Sequence, residues 1–144
     1  MDIVVFGSLN MDLVAQVPRI PEPGETILGS GFTTVPGGKG ANQAVAAARL
    51  GASTVKEGRV GTDAMGQTLT AQLQAEGIDT KGVSVSDRAP SGTALITLSP
   101  TNNQIVVIPG ANCEISEAEL ETPMPYFNGD ICDACIFLLQ FEIP

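Results

Sequence analysis

Apolar positions along the chain fall into two kinds of run. Ile3–Phe6 and Ala134–Leu139 are continuous and apolar, which is the pattern of strands buried on both faces in a parallel sheet. Thr54–Val60 reads as a third strand, although Lys56 and Glu57 place charges inside it. The other β-type runs are two-faced: Leu13–Val17, Thr26–Val35, Val83–Val85, Thr93–Leu98 and Gln104–Ile108. Turn formers at Ser99–Asn103 join the last two as a hairpin. Helical patterning covers Ala41–Leu50, with Gly51 as its stop, and Ala64–Ala75, opened by Thr62-Asp63 and closed by Gly77. Ser116-x-x-Glu119 has the form of a capping box, and Pro123 and Pro125 end that helix early. The runs at Ile3, Thr54 and Ala134 alternate with helices as βαβ units do, so the fold class is α/β. The two-faced runs predict a smaller sheet outside that core.

Composition narrows the class. A chain of 144 residues, 43% hydrophobic with mean hydropathy +0.20, is one folded domain by length and is not disordered. Seven basic against 16 acidic residues give a net charge of −9, and the basic ones are scattered from Arg19 to Arg88. Neither nucleic acid nor an anionic membrane suits such a surface. The start of the chain does not resemble a secretion signal and no apolar stretch reaches membrane-spanning length, which predicts a cytoplasmic protein. Three cysteines, an odd count, fit reduced thiols better than a disulfide framework. Histidine is absent, which excludes Ser-His-Asp and Cys-His nucleophiles and imidazole-based zinc sites.

Candidate chemistry concentrates in Pro36–Gly51, PGGKGANQAVAAARLG. A glycine loop runs into an alanine-rich helix whose first turn carries Lys39 and Asn42. Glycines let a ligand approach the backbone, and the N–H groups of a helix start face whatever sits there. Two nucleotide motifs fail on spacing. A Walker A loop would need Gly where Thr33 stands and Ser or Thr where Gly40 stands, and the dinucleotide motif would need Gly at Gln43. Elsewhere the local patterns read as structural. Asp63 is a helix cap, Glu114–Glu121 an acidic helix start, and Cys132-x-x-Cys135 lacks the further ligands a zinc site needs.

Gly37–Ala44 followed by Gly51 and Gly61 resembles the N-terminal signature of the PfkB carbohydrate kinase family, and GGKGANQAVAAARLGA (Gly37–Ala52) is similar to its ribokinase branch. The likeness runs the length of the chain through GSLNMD (Gly7–Asp12), PGET (Pro23–Thr26), GTDAMG (Gly61–Gly66), PGAN (Pro109–Asn112) and QFE (Gln140–Glu142). It implies a ribokinase-like three-layer α/β/α core, about residues 1–10, 36–80 and 110–144, with a small β-sheet lid from about 11–35 and 81–109. It also implies a sugar site of Asn10, Asp12, Gly38, Lys39, Gly40, Ala41, Asn42 and Glu142. Lys39 is there either a sugar contact or a surface cation near the phosphoryl group. The implied reaction moves the γ-phosphoryl of ATP to the 5-hydroxyl of D-ribose, with Mg2+ and a monovalent cation such as K+, in a homodimer paired through the lid. The family's catalytic Asp lies in a Gly-Ala-Gly-Asp motif that does not occur in these 144 residues, so no catalytic residue is assigned. Typical members are about twice as long as this chain, whose catalytic and nucleotide parts are therefore expected elsewhere. Another sugar or nucleoside kinase of the family, or a non-catalytic sugar-binding or dimerising fragment, are the alternatives. Pro123 and Pro125 stand where relatives have a longer helix, and Lys56 and Glu57 where they often keep apolar residues.

Overall fold

The structure, a computed structural model, describes residues 2–115 and 135–143. Two four-stranded sheets organise it. In the first, strands β1 (Asp2–Phe6), β4 (Ser53–Gly61), β5 (Asp79–Ser86) and β8 (Cys135–Leu139) run parallel in the order β5-β4-β1-β8. Helices α1 (Lys39–Arg49) and α2 (Ala64–Ala75) make the crossovers into β4 and β5. Val5, Val60, Ala41, Ala44, Leu69, Leu73 and Ile78 form one buried cluster, so both helices cover the same face of this sheet. Small alanines on α1 let its backbone lie close to the strands. Asp63 caps α2 by accepting from the Gly66 N–H at 2.9 Å, as its position before the helix predicts. On β4 the residue after Gly58 alternates away from Val60, and Arg59 there donates to the Glu114 carbonyl of the 3-10 helix Gly110–Glu114 at 3.1 Å.

The second sheet has the order β3-β2-β6-β7, from β2 (Asn10–Gln16), β3 (Gly31–Gly37), β6 (Gly92–Leu98) and β7 (Asn103–Ile108). β2 runs antiparallel to β3 and parallel to β6, and β6 and β7 form the hairpin. Leu9 and Met11 carry the main core cluster across to this sheet. Only Gly7–Leu9 separates β1 from β2, so the second sheet rises directly from the carboxyl end of the first. Asn10 pairs with Gly37 on one side and Gly92 on the other. Three passages between the sheets therefore meet at one point.

Three sequence expectations are corrected. The Val83 run belongs to the core sheet, because α2 returns the chain alongside β4 in a parallel crossover; its two-faced pattern comes from lying at the edge, with Val85 exposed. Residues 26–30 are outside β3, because β2 ends at Gln16 and offers no ladder beyond Gly31. Helix α1 starts at Lys39 rather than Ala41, since Gly38 at φ +95° turns the chain one residue earlier. Among the described strands β8 lies at the edge of the core sheet, with Ile136 and Leu139 exposed. The Ser116-x-x-Glu119 box, Pro123, Pro125, Cys132 and Ala134 lie outside the described residues.

Candidate functional site

Strand β1 ends at Phe6, and Gly7, Ser8 and Leu9 pass beneath the first turn of α1. A Cβ on Gly40 would lie 2.6 Å from the Gly7 carbonyl carbon and 2.8 Å from the Ser8 nitrogen. Glycine is thus what allows the helix start to rest on the loop. Gly38 is equally constrained: a Cβ would meet the Asn10 nitrogen at 2.7 Å, and its φ of +95° is a conformation L side chains rarely adopt. No side chain caps α1. The Ala41 N–H is committed to the Ser8 carbonyl at 3.1 Å and its methyl is buried, so Ala41 seats the helix. Asn42 is exposed on the same turn.

Carboxylates gather around this helix start. Asp12 projects from β2 beside Gly37, where a Cβ would come within 2.6 Å of its Oδ2. Glu142 comes from the other end of the chain, just past β8. Its Oε1 pairs with Lys39 Nζ at 2.8 Å and its Oε2 accepts from Ser8 Oγ at 2.8 Å. Burial pushes the Glu142 carboxyl up, but bonds from Lys39, Ser8 and the Lys39 backbone N–H outweigh it and hold the group below the usual glutamate range. Asp12 moves the opposite way. Burial raises it first and the nearby Glu142 charge raises it further. Two acceptor carboxylates and one ammonium, arranged at a helix start, suit a neutral ligand rich in hydroxyls, which can donate to the carboxylates.

The structure brings Asn10, Asp12, Gly38, Lys39, Gly40 and Glu142 together and leaves Asn42 at the rim. Four further residues build the site and carried no assigned role in the sequence reading. Ser8 fixes Glu142, and its N–H donates to Gln140 Oε1 at 3.3 Å. Asn112, 1% exposed, binds Leu9 and Asn10. Lys56, wholly buried on β4, donates to the Gly7 carbonyl at 2.7 Å under the loop. Ser8, Asn112 and Gln140 lie in motifs that the resemblance quotes and Lys56 does not, but all four have partners distant in sequence, so spacing alone could not pair them.

A parallel sheet whose carboxyl end gathers these polar groups, with a second sheet rising beside it, defines an α/β protein with a candidate site where open α/β sheets place theirs. Residues 1–139 match the pfkB family of carbohydrate kinases, and the chain belongs to that family. It is 50% identical over 143 residues to the ribokinase of Bacillus subtilis (strain 168), covering 99% of this chain and 47% of that protein. With the ribokinase of Lactococcus lactis subsp. lactis it shares 40% over 147 residues, covering 99% and 46%. Among solved structures, ribokinase from Cryptococcus neoformans in complex with ADP superposes with a TM-score of 0.82 at 32% identity, over 99% of this chain and 43% of that one. Arabidopsis thaliana ribokinase complexed with ribose and ATP gives 0.79 at 35%, over 99% and 46%. The fold is thus ribokinase-like α/β over the part covered. The chain spans about half the length of the curated relatives it matches.

Proposed function

We propose that this chain is the sugar-binding and lid part of a ribokinase-type kinase, which phosphorylates D-ribose at its 5-hydroxyl from ATP. One observation carries the reading: Asn10, Asp12 and Glu142, from opposite ends of the sequence, converge on the Gly38–Gly40 helix start. Asp12 and Glu142 would accept from sugar hydroxyls, while Lys39 would neutralise the paired carboxylates and Gly38–Gly40 would let the sugar approach the backbone. The Arabidopsis relative, solved with ribose and ATP, supports this choice of ligand.

The described residues around this helix start do not fit a magnesium–nucleotide group. Among the described residues no cluster of three His, Cys, Asp or Glu side chains could hold a metal ion. The start of α1 already donates the Lys39 N–H to Glu142, an anion. The catalytic Asp, the nucleotide and both cations belong, in this reading, to sequence that the longer relatives carry beyond the matched span. Pairing of two copies through the second sheet and a cytoplasmic location belong to the same proposal. No helix among the described residues is long and apolar enough to cross a membrane.

D-ribose should raise the melting temperature of the chain, and Asp12→Ala should abolish that shift without unfolding it. Well-folded wild-type protein that shows no shift would sink the reading. A coupled ATP-turnover assay should find no phosphorylation by this chain alone, and turnover there would place the catalytic groups within it.

A further inference from the structure

Asn112 is buried, polar and remote from the glycine loop in sequence, yet it touches the site. Its Oδ1 accepts from the Leu9 N–H at 2.9 Å. Its two Nδ2 hydrogens are shared among three acceptors, the Leu9 carbonyl at 3.0 Å, the Pro109 carbonyl at 3.0 Å and Asn10 Oδ1 at 2.9 Å. A backbone N–H can only donate and a backbone carbonyl can only accept, so Leu9 permits one orientation of the Asn112 amide. The nitrogen end of Asn112 then faces Asn10. Asn10 must meet it with oxygen, which turns the Asn10 nitrogen away. No described residue accepts from that nitrogen. Gly92 keeps the contact open, because a Cβ there would lie 2.2 Å from both Asn10 Oδ1 and Asn112 Nδ2.

We infer that Asn112 is a positioning residue, which orients the Asn10 amide so that Asn10 offers the ligand a donor and never an acceptor. The inference rests on the sugar-site reading above. It gives the site a polarity: Asn10 reads a ligand oxygen as acceptor, while Asp12 and Glu142 read hydroxyls as donors. Hydroxyls satisfy both kinds of contact. A ligand group that can only donate would be rejected at Asn10, since it would leave the buried amide unpaired.

Side-chain amide exchange in the 15N-labelled chain tests the orientation directly. In the free protein the Asn112 protons should be protected and the Asn10 protons should exchange rapidly, slowing when D-ribose is added. Protected Asn10 protons in the free chain would overturn the inference whether or not ribose binds. Asn10 protons that exchange rapidly in a chain that binds no ribose would remove the sugar reading and leave the orientation intact. The role in binding is tested by a double-mutant cycle read as ribose affinity. Asn112→Ala should weaken ribose roughly five- to tenfold, the worth of about one hydrogen bond, and cost nothing more once Asn10→Ala is present. Additive losses would show that Asn112 acts otherwise than through Asn10. Should Asn112→Ala fail to fold, Asn112→Asp keeps the bond from Leu9 N–H, loses the donor to Asn10, and serves in the same cycle.

Discussion

Lys56 lies within β4 with no exposed surface, and its ammonium donates to the Gly7 and Glu57 carbonyls. Burial drives its pKa down to about 7, against a partial upward pull from Glu57. An unfolded chain restores the ordinary value of 10.5, so between about pH 7 and 10.5 the unfolded state binds more protons than the folded one. Stability should therefore rise with pH across that window, by at most about 1.4 kcal/mol per unit, and the penalty for burying the charge is complete below it. Urea unfolding at several pH values should show this slope, and Lys56→Met should remove it. The slope is diagnostic rather than the offset, because methionine also strands the Gly7 carbonyl. Glu57 acts in a lower range: burial raises its pKa, so stability falls as pH climbs from the ordinary glutamate value of 4.5 through the raised one. Both charges were legible in the sequence as intruders in an apolar run. That Lys56 would reach the Gly7 carbonyl in the ligand loop was not, because Gly7 is 49 residues away and follows another strand.

At the scale of elements, the start of α1 shows why its glycines are more than turn formers. Gly40→Ala would drive a methyl to 2.6 Å from the Gly7 carbonyl carbon, and that neighbour is backbone, which cannot swing aside. The helix would have to lift from the loop. Overpacking of this kind costs about 1–3 kcal/mol, so the variant should melt earlier and lose its ribose response, read by thermal unfolding with and without sugar. Calorimetry showing unchanged stability and unchanged ribose binding would contradict the packing described. The glycine run, the helix after it and the Asp63 cap were readable because each depends on neighbours a few residues away. Sheet membership of β5 was not. Its polar-apolar alternation suits either sheet, and only the crossover through α2 sets it beside β4.

For the whole molecule, the described residues of the two sheets include two exposed apolar surfaces. Every residue of β7 is exposed, including the four apolar positions Ile105–Ile108, and Phe32 and Leu95 add to the same sheet. At the edge of the core, β8 and the segment after it expose Ile136, Leu139 and Phe141. Apolar sheet surfaces and open edges of this kind favour association. The chain should sediment as a dimer or larger species. Val106→Lys should return it toward monomer if copies pair through the second sheet, whereas a response only to Leu139→Lys would assign the contact to the core edge and overturn lid pairing. The sequence by itself determined the β and α runs, the glycine loop, the helix stops, the family resemblance and the residue types a sugar site needs. Those features follow from local periodicity, backbone freedom and short motifs. Only the tertiary structure decided which face and which partner each side chain has. Ser8 meets Glu142 across 134 residues and Leu9 meets Asn112 across 103, contacts that exist only because β1, β8 and the 3-10 helix converge on one end of the sheet.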